Sequence, residues 1–185
     1  MIKTLPALAA VLLSACASVV PGTAARLAAM DPLTADPGAI ELVMILPEGL
    51  AVIPGSARLE FGAVRGNETL NGSFVLEDRP VTTPVALPEG ATARGFALTD
   101  EDADRMRALR AEIAAWKREG AAQGSLGIGL GGCGVGNGPA AEAVGSVLIR
   151  TTQGGPFLPL IRDGKLADLL GPEVLAAIKP CKGAE

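Results

Sequence analysis

The sequence predicts a mainly β domain, an antiparallel sandwich or partly closed barrel, with one inserted amphipathic helix and a short helical C-terminal tail. Three observations predict it. Glycine and proline are abundant, 24 and 14 of 185 residues, so turns punctuate the whole chain. Between the turns, apolar residues run continuously or alternate over short stretches, which is the pattern of strands. One stretch, residues 100–119, instead carries apolar residues three and four apart. The apolar fraction of 49% is too high for general disorder, and aromatic residues, at 3%, are sparse.

The elements follow in order. Ile40 to Leu46 is apolar except for Glu41 and reads as a buried strand, ended by the turn chemistry of Pro47-Glu48-Gly49. From Ala57 to Val64, Leu59 and Phe61 share one parity with Ala57 and Ala63. Arg65-Gly66-Asn67-Glu68 then reads as a hairpin turn. Leu70, Phe74 and Leu76 share a face of the return strand, with Gly72 as a candidate bulge. Pro80 and Pro84 confine the next segment to a sheet edge or a loop, because proline donates no ladder hydrogen bond. Thr92 to Leu98 is a further strand. Leu46-Pro47-Glu48-Gly49 recurs as Leu87-Pro88-Glu89-Gly90, but the flanks match poorly and Pro-x-Gly turns recur wherever hairpins do.

Asp100 to Glu119 is the helix. Thr99 is placed to cap it, and Asp100, Glu101 and Asp102 complement the positive end of its dipole. Lys117 and Arg118 suit the last turn, and Gly120 stops it. Met106, Leu109, Ile113 and Trp116 form one apolar stripe, expected to pack on the sheet of the same domain. The acids from Asp100 to Asp104 lack the spacing of a calcium loop.

From Ser125 to Val135, Leu126, Ile128 and Leu130 alternate with Gly127, Gly129 and Gly131. Such a strand has one apolar face and one bare glycine face; glycine in a strand marks close backbone approach, and this face is expected to lie against the helix over 100–119 or against a ligand. The segment also contains G-x-G-x-x-G matches. A dinucleotide fingerprint needs a strand before the glycines and a helix opening on them, and that context is missing. Val144 to Thr152 and Pro156 to Ile161 read as the last strands. Asp163-Gly164 turns the chain into a short helix carrying Leu166, Leu169 and Leu170. Pro172 opens a second, with Val174, Leu175 and Ile178 on its buried side.

The N-terminus carries a different signal. Met1-Ile2-Lys3 is a small positive region, and Leu5 to Leu13 is uncharged and apolar but too short to span a bilayer. Leu13-Ser14-Ala15-Cys16 follows: an aliphatic residue, two small residues and cysteine. This segment resembles the signal peptide and lipobox of bacterial lipoproteins. The resemblance covers residues 1–16 and implies that Cys16 is diacylated, becomes the new N-terminus and anchors the chain in a membrane leaflet. Two or three acyl chains hold where one binds only marginally. Ala17 in place of Asp after the cysteine implies, by resemblance to enterobacterial sorting, transfer to the outer membrane. Two other readings stay open: a secretory signal cleaved after Ala17, giving a soluble periplasmic or secreted protein, and an uncleaved cytoplasmic N-terminus. The organisation expected is a signal peptide over 1–15, a lipidated N-terminus and tether over 16–37, and one β-rich domain over 38–185.

In an exported chain, Cys133 and Cys181 are an even pair in an oxidising compartment, which predicts a structural disulfide. With no CxxC and no histidine anywhere, the two make a poor redox or metal pair. The absence of histidine also excludes Ser-His and Cys-His catalysis, and no S-x-x-K motif is present. Asn67-Glu68-Thr69 and Asn71-Gly72-Ser73 match the glycosylation sequon, but their turn role is the better account in a bacterial chain. The net charge is −4 with no basic block, so neither nucleic acid nor an anionic lipid head-group surface is an expected partner. No catalytic, metal-binding or cofactor-binding residue is assigned. The expected function is non-catalytic binding or scaffolding of an envelope protein or cell-wall polymer. The alternatives are a carrier of a small apolar ligand in a β cavity and a carboxylate-dependent envelope enzyme.

Overall fold

The computed structural model describes residues 35–120 and 122–182. Cys16, the signal segment and most of the tether therefore lie outside the described residues. The chain forms β1 (Glu41–Leu46), β2 (Leu50–Val52), β3 (Arg58–Arg65), β4 (Glu68–Arg79) and β5 (Thr92–Leu98), then α1 (Asp100–Glu119). It continues through β6 (Gln123–Gly129), β7 (Gly132–Gly134), β8 (Val144–Arg150) and β9 (Leu158–Lys165) to α2 (Leu166–Leu170) and α3 (Pro172–Ala176). Seven strands make one antiparallel sheet in the order β6-β3-β4-β5-β1-β8-β9, curled into a half-barrel, and β2 and β7 pair separately. Of the two predicted architectures, the partly closed barrel is the one formed.

Register fixes which residues face inward. Leu59 lies opposite Phe74 on β4 and Ile128 on β6. Leu76 pairs with Leu98, and Leu42 pairs with both Phe96 and Ile149. These side chains, with Met44, form one buried core against Met106 and Ile113 of α1, so the helix packs on its own sheet as its stripe predicts. Thr99 caps α1 by accepting from the Asp102 N–H at 3.0 Å, and the Gly120 N–H closes the last turn on the Trp116 carbonyl. The chain enters the domain through the same helix. Asp36 accepts from Arg107 Nε and Nη2 at 3.1 and 2.7 Å, Arg110 donates to the Ala35 carbonyl, and Pro37 is buried. Ala35–Pro37, assigned to the tether from sequence, are thus docked on α1. The Arg107 hydrogen bonds, then the Gly38 N–H, hold the Asp36 carboxyl below its ordinary pKa of 3.8.

Gly72 is not a bulge. It pairs with Phe61 inside an unbroken β3–β4 register. A Cβ there would lie 2.6 Å from Phe74 Cζ and 3.0 Å from Leu109 Cδ2, so the glycine gives the Phe74 ring and α1 room to close on the sheet. Gly72→Ala is expected to destabilise by about 1–3 kcal/mol through overpacking, seen as a lower denaturant midpoint at unchanged slope. An unchanged midpoint would refute this account.

The predicted strand over 125–135 is two strands in two sheets. The chain turns at Leu130-Gly131, where the Gly131 N–H donates to Ser56 Oγ at 3.0 Å and the Ile53 N–H donates to the Gly131 carbonyl at 2.8 Å. Close approach occurs at Gly131, whose Cβ would meet Ser56 Cβ at 3.1 Å. It does not occur at Gly127, 3.7 Å from Glu60 Cβ, or at Gly129, which has nothing within 4 Å. Those two face outward on an edge strand, and Leu126, though on the inward parity, is 41% exposed there.

Two further expectations change at the C-terminus. Strand β9 runs through Asp163-Gly164 instead of turning there, at the cost of a positive φ of 47° at Asp163. Val174, predicted on the buried side of α3, is 55% exposed, whereas Leu175 and Ile178 pack on the core. The tail is nevertheless held. The Gly134 N–H donates to the Lys179 carbonyl at 2.8 Å, and the Cys181 N–H donates to the Gly134 carbonyl at 2.9 Å.

Candidate functional site

The inner face of the half-barrel is filled by the core, so available binding surface lies on its outer face. Odd-numbered residues of β1 point there: Glu41 opposite Arg150, Val43 opposite Leu148, Ile45 opposite Ser146. The proline-punctuated segment 80–91, read from sequence as an edge or loop, is a loop laid across this face. Its Val81 Cγ2 stands 3.3 Å from where a Gly95 Cβ would be, and Val43 beside it is only 2% exposed. Glycine at 95 is required first by the Arg79 carbonyl of β4, 2.5 Å from that Cβ position, and it also leaves room for Val81, which lies with Val43 on the outer side of the sheet.

Between this strap and β8–β9 runs a groove of about 690 Å³. Ile45 and Leu148 form its floor, Val85 and Leu87 one wall, and Phe157 and Ile161 the other. Pro84, Pro88, Pro156 and Pro159 also line it. Pockets that hold one small ligand occupy about 300–1,000 Å³ and are mostly apolar, with a few placed polar groups. Here the polar groups are Thr83, Ser146, Arg162 and Asp163. The Asp163 N–H donates to Ser146 Oγ at 2.9 Å, and that hydroxyl donates to Asp163 Oδ1 at 3.3 Å. The β8–β9 register shifts between Gly145 and Val147 and again between Val147 and Leu148. Beside the groove, the Arg150 guanidinium stacks 4.5 Å from the Phe157 ring centroid and pairs with Glu41, fixing the aromatic wall.

A second outer depression, of about 460 Å³, lies at the β6 end of the sheet. Glu60, Thr69, Asn71, Ser73 and Ser125 line it over a floor of glycine, so both sequon serine and asparagine at 71–73 sit in a strand rather than a turn. Each depression contains one carboxylate, Asp163 in the first and Glu60 in the second. Elsewhere Asp36, Glu41, Asp78 and Glu142 are committed to ion pairs with Arg107, Arg150, Arg94 and Lys165. Among the described residues no three His, Cys, Asp or Glu side chains are grouped to hold a metal ion, and no helix is long and apolar enough to cross a membrane.

The structure joins Cys133 and Cys181, with Sγ atoms 2.08 Å apart, as the sequence predicts. The groove was not legible in advance. Its signal was the placing of Val81, Val85 and Leu87 among prolines, where a solvated loop would carry polar residues. Comparison with family models, with curated proteins and with solved structures finds no match to this chain.

Proposed function

We propose that this chain is a lipid-anchored lipoprotein of the bacterial cell envelope, facing the periplasm from the outer membrane, whose domain binds rather than catalyses. The observation that carries the proposal is the run Leu13-Ser14-Ala15-Cys16 ahead of a domain closed by the Cys133–Cys181 bond. A disulfide favours an oxidising compartment, and the lipobox supplies the address. The binding reading is supported by the absence of histidine from the chain and by the single carboxylate in each outer depression, since carboxylate-pair hydrolysis needs two acids facing one bond. Tethering raises effective concentration, so weak contacts of such a domain suffice for occupancy.

The intact mass of protein extracted from membranes without reductant tests the proposal. The expected mass is that of residues 16–185 with acyl groups, less two hydrogens. A lipid-free mass starting at Ser18 would make the protein soluble and overturn the anchor. A full-length mass would overturn export altogether.

The carrier alternative gains a specific observation, with its location changed. The leucines that would line an internal cavity, Leu42, Leu59 and Leu76 among them, are packed in the core, and the open apolar surface is the outer groove.

A further inference from the structure

We infer that the outer groove binds one single-chain amphiphile, its alkyl tail along Ile45, Leu148 and Phe157 and its anionic head at Arg162. The inference rests on the binding part of the proposed function and is independent of the anchor.

The occupant follows from the chemistry of the walls. A bound peptide must satisfy the N–H and C=O groups along its length. Four of the lining residues are prolines, which remove backbone donors from the walls, and the side-chain polar groups are few. An alkyl chain has no such requirement. Leu87 is 47% exposed on the strap, leaving an apolar lip to be covered.

The head group follows from charge. In a regular strand Ile161 and Arg162 would face opposite sides, yet both line this groove. The local breaks supply the departure: the paired register shifts of β8–β9 and the positive φ of Asp163, held by Ser146. Backbone strain of this kind persists where surrounding contacts enforce it, and it concentrates at binding sites. Asp163 is engaged by Ser146, while no salt bridge among the described residues engages Arg162. The cation complements an anionic head.

The test uses the full-length chain carrying Cys16→Ser, titrated by calorimetry with decanoate, dodecanoate and tetradecanoate at pH 8, below their micelle concentrations. The expected result is one molecule per chain, with affinity rising about fourfold per added methylene. Leu87→Glu, at an exposed position, is expected to weaken every member about tenfold or more. Arg162→Gln is expected to weaken the carboxylates about two- to fivefold and leave decanol unchanged. Binding that survives Leu87→Glu, or no binding at millimolar ligand, would overturn the inference. So would a dimer abolished by Leu87→Glu, which would make a second copy the occupant. Vesicle binding by phosphatidylglycerol abolished by the same change, without monomer binding, would make it a bilayer and overturn the inference likewise. Failure here beside an acylated mass would leave the anchor standing.

Discussion

Opening the Cys133–Cys181 bond is expected to remove about 4 kcal/mol of unfolding free energy, the loop-entropy value for a closed loop of about 49 residues. The effect is large because of what the loop contains. Strands β8 and β9 complete one end of the sheet beyond β1, so the bond constrains a segment that must place two strands and both tail helices. Without it, the tail is held by the Gly134–Lys179 and Cys181–Gly134 backbone bonds and by Leu166, Leu175 and Ile178 on the core. At 2–4 °C per kcal/mol for a chain of this size, the melting temperature should fall by roughly 8–16 °C. Reduction and the double change Cys133→Ala/Cys181→Ala should agree in direction. Thermal melts with and without reductant, with thiol titration to verify opening, make the measurement. Two newly titratable thiols with an unchanged melting temperature would refute the claim.

The elements read most directly from the sequence were those whose signals are local. Helix α1 carries its own cap at Thr99, its acids in the first turn and its stop at Gly120, and its ends fall where those residues place them. Strand β5 begins and ends at Thr92 and Leu98 as predicted. The disulfide was legible from the even pair of cysteines together with the export expected of the N-terminal segment. What was not legible depends on partners distant in sequence. Glycine states that a side chain is absent, not why. At Gly72 the reason is the Phe74 ring and α1, at Gly95 it is the Arg79 carbonyl of β4 with Val81 behind it, and at Gly129 no neighbour requires it. The strap reads as a loop because proline cannot donate to a ladder. That Val81 covers Val43 follows only once the outward parity of β1 is known. Asp163-Gly164 has turn composition, yet its pairing to β8 keeps it in a strand. The apolar groove is the sum of these non-local facts.

Asp102→Ala is expected to cost about 3 kcal/mol, because this carboxylate does more than complement the helix dipole. Strand β4 pairs with β3 through Val75 and with β5 from Leu76 onward. At that change of partner the Leu76 N–H donates to the Ala57 carbonyl on the β3 side. The Val75 N–H, pointing the opposite way, reaches past the end of β5, where Thr99 has already opened α1. Asp102, 4% exposed, supplies the acceptor in place of a strand carbonyl and also pairs with Arg105. Alanine would leave a donor without its partner inside the sheet–helix junction, and the penalty for a buried unsatisfied group exceeds the net worth of an ordinary hydrogen bond. Asparagine keeps an accepting oxygen and loses mainly the pair with the half-exposed Arg105, so Asp102→Asn should cost about 1 kcal/mol. Urea denaturation of the two variants separates acceptor from charge. Equal losses would assign the effect to charge at the helix N-terminus and refute the role as substitute strand carbonyl. A large loss for alanine alone would mean that the sheet continues, through Asp102, into the helix that covers it.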